Sequence, residues 1–220
     1  MIFKKLDKSF YVRGDTVKIA RELLGKYLMT DIDGKGLTGG KIVETEAYLG
    51  AIDKASHGYG NKKTERNKNL YKEGGYSYVY FIYGMYYLFN VVTGKENFAD
   101  AVLIRAIEPE IGIDIMLERR NKNLEIKNKE NTKRITSGPG LLTVALGINL
   151  KHNGIPICEQ NILKNKGEKD GSLEIWLEDR NINIGEDLII STPRIGVDYA
   201  AEHAKLPYRF KIKDNGWASR

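Results

Sequence analysis

Cysteine is almost missing from this chain: Cys158 is the only one in 220 residues. A lone thiol forms no internal disulfide and fits a reducing compartment, so a cytoplasmic protein is expected. Histidine is scarce too, with three residues, and no Cys-x-x-Cys or His-x-x-x-His spacing occurs. That speaks against a structural zinc site, and no metal ligand is assigned. Long apolar runs are lacking: Gly, Asn or charge breaks each one, far short of the ~18 residues of a membrane span. No membrane association is therefore expected. The opening Met-Ile-Phe-Lys-Lys-Leu-Asp has no apolar segment of a secretory signal. No internal repeat or clear linker interrupts the chain, and its length favours one domain over residues 1–220.

What is present is a core's worth of apolar residues, 41% of the chain, and a net charge of +6. The charge is a mild bias toward anionic partners. Its distribution says more. From Lys54 to Lys72 there are six basic residues and one acid, Glu65; from Met116 to Ile135 there are seven basic residues and three acids. Either excess can be a phosphate-tracking surface or a solvated lysine-rich face.

The element pattern is mixed. Asp15 reads as an N-cap for a helix carrying Val17, Ala20, Leu23 and Leu24, stopped by Gly25. Lys26 to Asp31 reads as a strand, and the turn Asp33-Gly-Lys-Gly36 leads into the next. Residues 50–70 read as a long polar loop, of a length that is functional or disordered inside a compact domain. Seven of the thirteen tyrosines then fall between Tyr71 and Tyr87, in a hairpin pattern reversing at Gly84. Ala101 to Ile107 is a strong strand with Arg105 embedded in it, and Pro109 opens a helix to about Arg120. Asn121 to Arg134 is polar and lysine-rich. Pro139 and Gly147 bracket a short buried helix. Leu173 to Leu177, Leu188 to Ile190 and Pro207 to Ile212 read as strands, with a brief helix from Tyr199 to Lys205. The expected fold is α+β: a single mixed domain with a curved, mostly antiparallel sheet, a protruding aromatic β-hairpin and surrounding helices.

The stretch Lys41-Ile-Val-Glu-Thr-Glu-Ala-Tyr-Leu-Gly50 stands out chemically. Strand period places Glu44, Glu46 and Tyr48 on one face with Ile42, and Val43, Thr45 and Ala47 on the other. A cleft can tune such a carboxylate into a general acid or base, whereas on a wet edge strand it is idle. The aromatic hairpin and basic flanks suit stacking of nucleobases beside phosphates. A carboxylate near stacked rings suits chemistry on an extruded base, with Tyr83 or Met85 at the hairpin tip filling the gap left in the duplex. Each piece also has a plain structural reading. The tyrosines can be a sheet face, Asn90 a locally bonded buried amide, and Arg105 a counter-ion for Glu108 or Asp100.

Glu44-Thr-Glu-Ala-Tyr48, His57, Thr64-Glu-Arg-Asn67, Tyr78-Val-Tyr-Phe-Ile-Tyr-Gly-Met-Tyr86, Asn90, Leu103-Ile-Arg105 and Ser137-Gly-Pro139 occur in this order and at similar spacing in one family. On these segments, and over nearly its whole length, the chain resembles the alkyladenine (3-methylpurine) DNA glycosylases of the mammalian-type fold. The resemblance implies a monofunctional enzyme, without metal or other cofactor. It would remove alkylated or deaminated purines (3-methyladenine, 7-methylguanine, hypoxanthine, ethenoadenine) from double-stranded DNA and so start base excision repair. By resemblance Glu46 activates the attacking water and Arg105 helps to position it, with Glu44 in support. Tyr48, His57 and Tyr80 would line the flipped-base pocket, the two tyrosines sandwiching the base. Asn90 would crowd the 2-amino group of guanine, and Leu103 would border the pocket. Tyr83 would be the intercalating wedge, with Gly84, Met85 and Tyr86 beside it, and Thr64, Arg66 and Asn67 would contact DNA. Glu65 departs from the proline usual in the family and adds a negative charge to the loop that would meet phosphates. No lysine occupies a catalytic place, so no Schiff-base lyase step is expected. Cys158, His152 and His203 match no functional position. A monomer is expected, since search along DNA requires no dimer. The other functions weighed are a non-catalytic nucleic-acid-binding module of the same fold and a nucleoside hydrolase, which would need neither wedge nor basic flanks.

Overall fold

A computed structural model describes residues 3–32, 34–120, 135–158 and 174–219. The lysine-rich stretch from Asn121 to Arg134 lies outside the described residues, as does Leu173 at the start of an expected strand. The fold is α+β, built on a large open antiparallel sheet with helices packed on it. The strands are β1 (Lys4–Lys5), β2 (Tyr27–Asp31), β3 (Leu37–Leu49), β4 (Ser77–Ile82), β5 (Tyr86–Thr93), β6 (Asp100–Ile111), β7 (Ile175–Asp179), β8 (Ile189–Thr192) and β9 (Arg209–Ile212). The main path runs β1-β7-β2-β3-β6-β5-β4. The long β3 pairs with β6 along one edge. Its other edge meets β2 through Leu37 to Lys41 and β9 through Glu44 to Glu46, and β9 in turn carries β8.

Helix α1 (Lys8–Tyr11) precedes α2 (Thr16–Glu22), where the Asp15 side chain accepts from the Lys18 N–H as expected of an N-cap. Helix α3 (Ile113–Arg119) follows β6, and α4 (Pro139–Leu146) has Pro in its first turn and Gly147 at φ +78° as its C-cap. The Thr143 hydroxyl of α4 donates to the Tyr87 carbonyl and so pins this helix to β5.

Two expectations fail here. The helix foreseen from Pro109 does not begin there, because β6 continues through Glu110 and Ile111. Pro109 sits opposite Gly40 at a register shift, where a Cβ on Gly40 would lie 2.1 Å from the Glu108 carbonyl oxygen. A proline is tolerated where the ladder is already irregular. Gly112, at φ +66°, then turns the chain into α3. The second failure concerns Ile42. Register shifts flank Glu44, between Ile42/Glu44 and Glu44/Thr45. A bulge adds one residue and reverses the parity of the strand behind it. Ile42 therefore packs in the main core with Ala47 and Ile104 and does not share a face with Glu44, while Val43 packs with Ala106 and Trp217.

Beyond the bulge, period 2 decides what faces what. Ala47, Val79, Phe89, Val91, Val102 and Ile104 enter the main core with residues of α2 and α4. Their neighbours in sequence, Glu46, Tyr48, Tyr78, Tyr80, Leu88, Asn90, Leu103 and Arg105, line a cavity on the opposite face.

Candidate active site

The cavity is about 850 Å³. Its floor is the sheet, one wall is the hairpin β4–β5, and the opposite lip is the segment Ile195, Gly196, Val197 and Tyr199. A drug-sized or nucleobase-sized ligand fits a volume in this range. The 50–70 region, foreseen as a loop, is a chain of 3-10 turns (Gly50–Ile52, Tyr59–Asn61 and Lys68–Tyr71) that brings His57 over the sheet.

Glu46 has no solvent exposure in its side chain and is held from three sides. Its Oε1 lies 3.2 Å from the Arg105 Nη1 and accepts the Ile195 N–H at 2.8 Å. Its Oε2 accepts the Tyr48 hydroxyl at 2.8 Å. Glu44 is equally buried but does not line the cavity. Its Oε1 accepts from the Arg105 Nε (2.8 Å), the Arg209 Nε (2.7 Å) and the Ser219 hydroxyl (2.6 Å), and its Oε2 accepts the Ser219 N–H (2.8 Å). Burial opposes ionisation of Glu44, but Arg105, the Ser219 hydrogen bonds and Arg209 outweigh it and hold its pKa below the usual carboxylate value. Both acids are fully buried, but Glu46 lines the cavity beside Tyr48 and Glu44 does not, and their partners differ. Arg105 itself is opposed by burial, yet the charges of Glu46 and Glu44 raise its pKa, so it stays cationic between them. The plainer partners considered for it are engaged elsewhere: Glu108 pairs with Lys41, and Asp100 accepts from Thr16.

The aromatic wall is equally specific. Tyr80 packs edge-on against His57, with centroids 4.6 Å apart, and lies tilted against Tyr78 at 5.4 Å. His57 Nδ1 is 2.8 Å from the Tyr78 hydroxyl. Burial, then the charge of Arg66, lowers the His57 pKa and favours a neutral imidazole. Burial pushes the Tyr78 hydroxyl up to about 12 and the Tyr80 hydroxyl higher still. Asn90 donates to the Tyr78 carbonyl at 3.1 Å and stands opposite Leu103 in the β5–β6 register.

Nine of the foreseen residues therefore converge on one cavity: Glu46, Tyr48, His57, Tyr80, Tyr83, Tyr86, Asn90, Leu103 and Arg105. Gly84, Met85, Thr64, Arg66 and Asn67 lie outside its lining. Tyr83 and Met85 are 78% and 63% exposed at the hairpin tip, a large outlay of apolar surface for a turn. The reversal places Tyr83 at φ +54° and Gly84 at φ +69°. Arg66 reaches the Phe81 carbonyl at 3.3 Å and links its loop to the hairpin. Asn67 is buried and spent internally. Its Oδ1 accepts the Thr64 N–H, and its amide donates to the His57 and Lys62 carbonyls, both at 2.8 Å. It shapes the His57 loop. Cys158 is buried beneath Gly75, and His152 accepts the Asn149 N–H beside its own turn. His203 accepts the Lys54 N–H at 3.2 Å.

Sequence reasoning missed Arg194, Ile195, Tyr199, Arg209 and Ser219. No periodicity marks them. Ile195 and Glu46, for example, are 149 residues apart along the chain. Among the described residues, no group of three or more His, Cys, Asp or Glu could hold a metal ion, and no helix is long and apolar enough to cross a membrane.

The arrangement offers a buried carboxylate beside a fixed guanidinium, under aromatic walls, with an exposed aromatic tip at the rim. Such a set can bind a flat ring, activate a water and stabilise positive charge developing nearby. A sequence model of the family described as methylpurine-DNA glycosylase matches residues 9–216. A protein of Alkaliphilus oremlandii named "Putative 3-methyladenine DNA glycosylase" is 45% identical over 217 residues, 98% of this chain and 99% of its own length. Proteins of the same name from Clostridium novyi and Clostridium botulinum strain Alaska E43 are 43% and 45% identical. They cover 99% and 98% of this chain, and the same shares of their own lengths.

Proposed function

Because this chain belongs to the methylpurine-DNA glycosylase family, and so is a hydrolase acting on DNA, we propose that it removes alkylated and deaminated purines through Glu46. The purine leaves the stack and enters the cavity between Tyr48 and the Tyr80–His57 wall, while Tyr83 occupies the gap in the duplex. An electron-poor alkylated purine is favoured between two tyrosine rings. Water attacks C1′ of the sugar, its proton passes to Glu46, and the C1′–N bond breaks with its electron pair going to the base. The sugar is cationic in the transition state, so a carboxylate at this place also stabilises the developing charge. Arg105, held by Glu44 at 2.8 Å, keeps Glu46 and the water in register. Asn90 crowds the purine edge where guanine carries its 2-amino group. 3-Methyladenine, 7-methylguanine, hypoxanthine and ethenoadenine are the substrates proposed, and the product is an abasic site without strand cleavage.

The observation that carries this reading is the fully buried Glu46 carboxylate, 3.2 Å from Arg105, on the wall of an aromatic cavity with an exposed tyrosine at its rim. The test is incubation with a duplex carrying a single hypoxanthine or 1,N6-ethenoadenine, followed by alkali. Wild type should release free base and leave an alkali-labile site. Glu46→Gln should abolish both while still binding the duplex, and full activity in that variant would sink the mechanism. Binding should weaken steeply with rising salt as phosphate-bound counterions are released. A flat salt response would favour a nucleoside as substrate.

A further inference from the structure

We propose that Arg194 is a positioning residue for this reaction, fixing the Glu46 carboxylate and the Tyr48 ring together; the inference rests on the role given above to Glu46. Arg194 is buried and touches the strand between these two residues. Its Nη1 donates to the Ala47 carbonyl at 2.9 Å, the carbonyl that lies between Glu46 and Tyr48 in the chain. Its guanidinium lies over the Tyr48 ring, 4.8 Å from the centroid, and 5.4 Å from that of Tyr208. The Ala47 N–H donates to the Tyr208 carbonyl at 2.8 Å, so both polar groups of Ala47 are tied to this corner. The residue after Arg194 donates its N–H to Glu46 Oε1 at 2.8 Å. Anchoring Arg194 therefore anchors a donor to the carboxylate itself.

What anchors Arg194 is Asp53. The two side chains form a buried two-point pair, with Nη2 at 2.9 Å from Oδ1 and Nη1 on Oδ2. Nη2 also donates to the His203 carbonyl at 3.2 Å. Asp53 accepts the Leu49 N–H at 3.2 Å and the Ala55 N–H at 3.0 Å, which fixes the turn between β3 and His57. One ion pair thus joins three pieces of the site: the end of β3, the loop bearing His57, and the Ile195 lip. Only a planar fork can meet Asp53 at two points, donate to two carbonyls and still cover a ring. A lysine keeps the charge and loses that geometry.

The experiment compares wild type, Arg194→Lys and Asp53→Asn at a temperature where circular dichroism shows each fully folded. Two quantities are read on a hypoxanthine duplex: the single-turnover excision rate with enzyme in excess, and affinity for the same duplex bearing an uncleavable 2′-fluoro sugar. A small misplacement of reacting groups costs far more rate than binding, so Arg194→Lys should lose about tenfold or more in rate with no matching loss of affinity. Asp53→Asn should show the same split to a lesser degree. A rate indistinguishable from wild type overturns the inference. So does a fall of rate and affinity by one common factor, which is what a merely structural role would give. Should Arg194→Lys fail to fold, Asp53→Asn decides by the same two readings. If wild type is inactive on every lesion tried, or Glu46→Gln keeps full activity, the reading of Glu46 has failed. An active wild type, a dead Glu46→Gln and a normal Arg194→Lys would mean that this inference alone has failed.

Discussion

Replacing Glu44 by Gln tests whether the acid behind the site acts as the buried counter-ion that the geometry makes it. Four donors converge on its carboxylate: Arg105 Nε, Arg209 Nε, and the hydroxyl and N–H of Ser219. A glutamine offers one acceptor oxygen. Its amide nitrogen must face either the two guanidinium donors or the Ser219 N–H, so at least one donor is left without an acceptor. The charge disappears as well, leaving Arg105 and Arg209 with less compensation in a dry site. Breaking a buried pair by removing one partner costs about 3–5 kcal/mol. A chain of this size loses roughly 2–4 °C of Tm per kcal/mol, so a drop on the order of 6–20 °C is expected.

The effect has a pH signature. The folded pKa of Glu44 lies below its ordinary 4.5, so its stabilisation is complete above that pH and is lost as pH falls through the folded value. The gap between wild type and Glu44→Gln should therefore be full at pH 7 and shrink below pH 4.5. Urea unfolding followed by tryptophan fluorescence reads it, since Trp217 packs on Val43 next to this strand. The midpoint should move while the slope stays constant. A loss under about 1 kcal/mol at pH 7, which is the scale of an exposed ion pair, would refute the assignment. So would a loss that does not change with pH.

Tyr48→Phe keeps the stacking ring but removes the 2.8 Å bond to Glu46. A hydrogen bond to a charged group is worth about 1.5–3 kcal/mol, so single-turnover excision should slow about 10- to 100-fold with substrate affinity little changed. Asp100→Asn should stabilise the protein at pH 7 to 8. Burial pushes the Asp100 pKa from 3.8 up to about 6, and nearby Asp53 adds to the rise despite the Thr16 hydrogen bond. The folded state thus disfavours the ionised form, and the gain, up to about 3 kcal/mol, should fade as pH falls through about 6 toward 3.8. Thermal melts across that range would show it, and a gain that grows in acid would contradict it. Gly140→Ala places a Cβ 2.7 Å from Cγ of Tyr86, so that ring and the base of the hairpin must shift. Overpacking of this kind costs about 1–3 kcal/mol. Duplex affinity measured by fluorescence anisotropy should fall, and unchanged affinity would mean that the seat of Tyr86 does not matter to DNA binding.

Much of this molecule is readable along the chain because strand and turn chemistry is local. The alternation from Tyr76 to Val92 with Gly84 at its reversal specifies the hairpin, and Asp15 caps the start of α2, although that helix ends at Glu22, before the expected stop at Gly25. Period 2 likewise places Glu46 and Tyr48 on one face, and the motif resemblance named the residues that line the cavity. The bulge at Glu44 and the passage of β6 through Pro109 were not readable, because each is a property of two strands in register. Strand period left the two acids alike and the motif resemblance ranked Glu46 above Glu44; the physical reason for the ranking was not readable. Glu44 is saturated by Arg209 and Ser219, which lie 165 and 175 residues away. Glu46 faces the cavity, held by an amide from a segment with no pattern of its own. Sequence by itself set which side chains could meet on one face of one strand. Tertiary structure decided which carboxylate became a counter-ion and which was left to face a ligand, because a buried charge takes its role from the donors that long-range folding brings to it.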